Sequence, residues 1–178
     1  EEWVKSGHPA MPTVVFEGSV DRAIFEYDGR PKRDWICCMP RSHKHPEVAG
    51  LLRARHGDRV VEIAGRTEAE VAELLKSAKV FVWWGNDKEG SPRPPKEALV
   101  AGCVVVGLAS DLHVRHATDF GIKCSSLADV VDRAGDAVGV VHADGQRHVA
   151  AVAAAGDQHA RRVQAGLGPD PVEQRADV

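Results

Sequence analysis

WWGNDKEGSPRPPKEALVAGCVVV, Trp83 to Val106, is the stretch whose reading decides the fold. An apolar strand ends in Trp83 and Trp84, and a polar loop with Asp87, Lys88 and Glu89 follows. Pro94 and Pro95 then open a helix, which Gly102 closes before a second apolar strand, Cys103 to Leu108. Proline just inside a helix start and glycine just past its end is the order helices prefer. The helix between two apolar runs predicts a strand–helix–strand crossover in a parallel sheet.

Working outward, the same alternation continues. Trp35 to Met39 is apolar throughout, as a strand covered on both faces must be. Pro40 stops it, and Arg41 to His45 makes a basic loop. Pro46 opens a helix with Val48, Leu51 and Leu52 as its stripe and Gly57 as its end. Arg59 to Ala64 is the next strand. Thr67 and Glu70 have capping-box spacing ahead of Val71, Leu74 and Leu75. Lys79 to Trp84 is the third strand, Ile122 to Cys124 a short one, and Ser126 with Asp129 resembles a second capping box. Trp83 and Trp84 point to opposite faces, which predicts one in the core and the other beside the ligand. The expected fold class is α/β, a Rossmann-like parallel sheet with helices on both faces. Residues 1–12 read as a tether, 13–140 as the domain, and 141–178 as an alanine-rich helix with a frayed tail.

Composition bounds the function classes. The 178 residues carry a net charge of -3, so no general attraction to nucleic acid or anionic membrane is expected. The apolar share is 43% and the aromatic share 5%, so Val, Ala, Leu and Ile must supply the core. The four cysteines lie in or beside apolar runs and read as buried, reduced thiols of a cytoplasmic protein. No run of about 20 apolar residues exists. The chain starts with Glu1 rather than methionine, which suggests a piece of something longer. G-x-G-x-x-G after a strand, a P-loop and Asp-x-Asp are all absent, so neither a cofactor nor a metal is expected. His43 and His45 lack the acidic or cysteine partners that zinc spacing requires.

In open α/β sheets ligands bind beyond the carboxyl ends of the strands. There the sequence places Arg41 to His45, Gly65 to Thr67 and Gly85 to Pro95. Helix starts and cations suit a diphosphate, and a carboxylate suits a pair of ribose hydroxyls. Arg41 and Lys44 read equally as solvated loop charges, Glu89 as another, and Glu97 in a first helical turn as a dipole partner.

The segment Glu89, Gly90, Ser91, Pro92, Arg93, Pro94, Pro95, Lys96, Glu97, Ala98 resembles the EG-x-G-x-P-x-x-E-A motif of retaining GT-B type glycosyltransferases, group 1 or family 4-like. Ser19, Val20 and Asp21 take the place of the family's G-V-D where its second half-domain begins. The resemblance covers about residues 13 to 140. It implies the C-terminal, donor-binding half of such an enzyme, which binds a nucleotide sugar and needs a missing N-terminal half for its acceptor, a glycan or small molecule. The full enzyme of this kind is compatible with peripheral membrane association. By resemblance Arg41 and Lys44 offset the leaving diphosphate, Glu89 contacts the sugar, and Glu97 holds the ribose. Gly90, Ser91, Arg93 and Lys96 line the donor. Pro92 replaces a glycine and has no N–H to offer a phosphate. That departure supports the alternative of a non-catalytic nucleotide-binding module, beside which stands another Rossmann-like enzyme such as an epimerase or a flavodoxin-like protein.

Overall fold

The computed structural model describes residues 20–40, 45–85, 92–109 and 121–139. The segments read as tether and C-terminal helix lie outside them. Five strands form one sheet: β1 (Arg33–Cys38), β2 (Val60–Glu62), β3 (Ala78–Trp83), β4 (Val104–Leu108) and β5 (Ile122–Cys124). Their order is β2-β1-β3-β4-β5, and every pairing is parallel. Ile36 lies opposite Val60 on one side and Val80 on the other, and Val80 lies opposite Val104. The chain reverses direction across the sheet between β1 and β3, the place where such sheets leave a crevice.

Helices cover both faces, which is why the strands are apolar throughout. One face carries Ile36, Cys38, Val80, Val82, Trp84 and Val106. Against it lie α2 (Val48–His56) and α5 (127–139), through Val48, Leu52, Val130 and Ala134. The other face carries Cys37, Phe81, Trp83 and Val105, beneath the short α1 (Arg22–Phe25), α3 (Glu68–Ser77) and α4 (Arg93–Val100). Adjacent strand residues thus serve opposite layers. All four cysteines are free and buried. Burial pushes the Cys38 thiol up to about 12 and Cys124 to about 11.

Some expectations shift. Leu51 was expected in the stripe of α2, but it is 46% exposed while Ala49 is buried in its place. A ridge built on positions 48, 49 and 52 faces the sheet, which turns position 51 to solvent. The helix also begins after Pro46, with Glu47 as its N-cap. Trp83 and Trp84 do take opposite faces, yet both are buried, so neither lines an open cleft. The indole N–H groups of both lack a partner among the described residues.

Local chemistry ends each helix as its sequence suggests. Thr67 and Glu70 form the full capping box of α3. Ser126 Oγ accepts from Asp129 N at 3.1 Å, but Asp129 Oδ2 reaches back to Ser125 N at 3.3 Å, one residue earlier than a capping box would. At the end of α4, Gly102 has φ 79°, and its N–H donates to Leu99 O at 2.9 Å while Cys103 N donates to Ala98 O at 2.8 Å. This paired closure requires a left-handed residue, which glycine adopts without strain. Gly135 of α5 answers a different need. A Cβ there would lie 2.7 Å from His56 Cε1, and that ring is fixed by a 2.7 Å hydrogen bond between Nε2 and Val131 O.

At the amino ends of the strands, one cation gathers the chain. The Lys32 ammonium lies 2.8 Å from Ala78 O and Ala101 O, and 3.2 Å from Leu75 O and Lys76 O. These carbonyls end α3, begin β3 and end α4. Helix carboxyl ends carry partial negative charge and unpaired carbonyls, so an ammonium offsets both. Tyr27 flanks it, with the ammonium 4.8 Å from the ring centroid. Burial pushes the Lys32 amine below the ordinary lysine value. Lys32→Met keeps most of the volume but removes the ammonium from four carbonyls, of which Leu75 O keeps Ala78 N as a donor. Equilibrium denaturation should show a loss of about 2–4 kcal/mol; a loss within about 0.5 kcal/mol, usual for a surface change, would show the carbonyls to be satisfied by water.

Candidate donor site

The site is built at the crevice, where the loops after β1 and β3 lead into α2 and α4. Arg41, Lys44, Glu89, Gly90 and Ser91 lie outside the described residues, as do His43, His113 and His116. Arg93, Lys96 and Glu97 are described, all on α4.

Of the described helices that open toward this edge, α2, α3 and α4 differ at their starts. The opening of α3, after β2, is fully capped by its own side chains. That of α2 has Glu47 as N-cap with no side-chain hydrogen bond, and that of α4 has Pro92 with none. A helix start without a side-chain cap leaves N–H groups for water or an anion. The two openings are nevertheless unequal. Pro92, Pro94 and Pro95 have no N–H, so α4 offers little beyond Arg93 N. The start of α2 presents Val48, Ala49 and Gly50, although Val48 N already bonds His45 O at 3.2 Å. His45 takes φ 59°, and its Nδ1 lies 3.6 Å from Glu47 Oε1. Of the two openings, that of α2 therefore has the more backbone N–H groups to offer an anion.

Glu97 was expected in the first turn of its helix. It falls in the second, because α4 begins at Arg93 and its first turn holds no acidic residue. Helical side chains lean toward the amino end, so the carboxylate still reaches back one turn. The Arg93 guanidinium lies there, with Nη2 3.1 Å from Glu97 Oε1 and 2.9 Å from Glu68 Oε1. Glu97 is 7% exposed, whereas Arg93 and Glu68 are about half exposed. Among the described residues the cation beside Glu97 is Arg93, so a buried carboxylate is offset by one half-exposed guanidinium. Lys96 is half-buried beside it.

Burial is the main cause that lifts the Glu97 carboxyl above its ordinary value; Arg93 pulls it down and Glu68 adds to the rise. Sequence reasoning missed Glu68. The four-residue spacing of Arg93 and Glu97 is legible as a helical ion pair, but nothing local ties Glu68 to it across 25 positions.

No family model matches the chain, and no curated protein matches it. Among solved structures it is similar to AviGT4, described as a glycosyltransferase involved in avilamycin A biosynthesis. The TM-score is 0.56 at 19% identity, over 88% of this chain and 60% of AviGT4. The chain thus spans 60% of that protein's length, and the likeness is one of fold. The class defined here is a Rossmann-like α/β domain of the kind found in a glycosyltransferase. Among the described residues no helix is long and apolar enough to cross a membrane.

A raised carboxyl pKa means that the folded chain holds this proton more tightly than the unfolded chain. Ionising Glu97 therefore costs stability as pH rises above its ordinary 4.5. Glu97→Gln should melt at or above the parent at pH 7, and the difference should shrink as pH falls toward about 4.5 and level off below it. A dipole partner would show the opposite at pH 7, a lower melting temperature.

Proposed function

We propose that this domain binds a nucleotide-sugar donor as the C-terminal half of a retaining GT-B type glycosyltransferase. The observation that carries the proposal is Glu97, a buried carboxylate offset by one half-exposed arginine, on the helix that follows the crevice. A buried charge is costly unless paired. A carboxylate offers acceptor oxygens to two adjacent hydroxyls, which a ribose supplies.

In this proposal the nucleoside diphosphate lies across the openings of α2 and α4. Arg41 and Lys44 face the two phosphates, with Lys96, Gly90 and Ser91 beside them, and Glu89 meets the sugar. The bond between the anomeric carbon and the diphosphate oxygen breaks, an acceptor hydroxyl oxygen bonds to the same face of that carbon, and the hydroxyl proton passes to the departing diphosphate oxygen. Cations placed before the reaction offset the charge developing on the diphosphate, which is electrostatic preorganisation. Because three prolines remove N–H groups from α4, Arg41 and Lys44 bear more of that charge than side chains would at an ordinary helix start. The acceptor half completes the site, so the 178-residue chain alone should bind donor and turn it over negligibly.

The same prolines favour a second reading, a nucleotide-binding module without transfer. Titrating nucleosides, nucleoside diphosphates and their sugars separates the two. Under the donor reading Arg41→Ala weakens diphosphate binding by about 1.5–3 kcal/mol and nucleoside binding much less. Glu89→Gln weakens only the intact sugar nucleotide, and Glu97→Gln weakens ribonucleotides but not their deoxyribose analogues. A module without transfer would bind the diphosphate but gain nothing from the sugar. Flavin or NAD binding in place of nucleoside diphosphates would overturn both.

A further inference from the structure

We propose that Glu68 and Arg93 are positioning residues for Glu97: Glu68, the first residue of α3, holds the Arg93 guanidinium against Glu97 Oε1, which keeps that carboxylate ionised as an acceptor for the ribose. The ribose role rests on the donor reading above; the coupling of the three side chains does not.

Arg93 occupies the first position of α4, the positive end of the helix dipole, where a cation is unfavourable. Left alone, its long side chain gains by swinging into water. Glu68 lies on the neighbouring helix, 2.9 Å from the same Nη2 that meets Glu97. Its own place is set by the Thr67–Glu70 capping box, which fixes the start of α3. The far ends of α3 and α4 are tied together by Lys32, so the gap between their starts is fixed at both ends of the layer. Among the described residues the charged groups acting on Glu97 are Arg93 from its own helix and Glu68 from α3. Beneath them β3 and β4 present Phe81, Trp83 and Val105. Nothing else described offsets the buried carboxylate.

Glu68 therefore acts on Glu97 in two opposite ways. Its charge repels the carboxylate directly and favours the protonated form. Its hold on Arg93 favours the ionised form. The proposal states that the second effect is the larger, and the sign of one measurement decides between them.

The experiment follows the Glu97 carboxyl carbon by NMR through a pH titration of the ligand-free chain. In Glu68→Gln, and likewise in Glu68→Ala, the Glu97 pKa should rise by about half a unit or more as Arg93 departs. Arg93→Met should raise it similarly, and adding Glu68→Gln to Arg93→Met should raise it no further. A fall, or no change, on replacing Glu68 alone overturns the proposal. Binding of uridine and guanosine diphosphates gives the second readout. Glu68→Gln should weaken whichever the parent binds about 3- to 10-fold and spare its deoxyribose analogue; equal losses for both sugars overturn the ribose role. If the parent binds no nucleoside diphosphate, the donor reading and the ribose role fall together, and the carboxyl titration still decides the coupling.

Discussion

The Lys32 ammonium, set among four backbone carbonyls, is the interaction on which the arrangement of the helical layer depends. Parallel sheets bring helix carboxyl ends to the same edge as strand amino ends, and there α3 and α4 would each leave carbonyls without donors. A single side chain from the residue before β1 serves both helices and the first residue of β3. Hydrogen bonds to a charged donor are stronger than neutral ones, and four acceptors for three ammonium protons keep the group fully engaged. Cys103 Sγ approaches the same Leu75 carbonyl at 3.1 Å, which closes the cluster on its apolar side. A second lysine, Lys79, buries its stem at this edge and reaches Asp34 at 2.5 Å.

The two edges of the sheet are thus chemically unlike. The amino edge is closed, with carbonyls and cations matched. At the carboxyl edge the helix beside the crevice has fewer backbone donors: prolines flank Arg93 at the start of α4, and Glu97 is offset there by that one half-exposed arginine. The contrast with α3, whose start is closed by Thr67 and Glu70, lies within one layer of one molecule. Rigid closure at one edge permits open polar groups at the other, because backbone positions there are set from below rather than by local hydrogen bonds.

The fold was legible because its signals are local and repeated. Apolar runs of strand length, proline and glycine at helix borders, and the Thr67–Glu70 spacing each follow from chemistry within a few residues. Strand borders moved by one or two positions, since polar Arg33 pairs in the ladder and carries Asp34 into β1, while apolar Ile63 and Ala64 fall outside β2. Leu51 and the Trp83–Trp84 pair were misread for a shared reason: sequence tells which residues are apolar, but neighbouring elements decide which of them are covered. The candidate site divides in the same way. Glu97 stood out through its place in a motif, and Arg93 through its spacing. Glu68 and Lys32 act through contacts between elements distant in sequence, and no local pattern records those.

The four buried thiols give this domain a built-in record of its own opening. Each is held in the protonated form by its apolar surroundings, so none reacts readily while the layers are closed. They also sample different parts of the molecule: Cys37 and Cys103 under α3 and α4, Cys38 under α2, and Cys124 on the outer strand. Alkylation of one before another would therefore date the order in which layers separate, helix by helix, without any foreign label in the chain. An edge strand that peels first would surrender Cys124 alone.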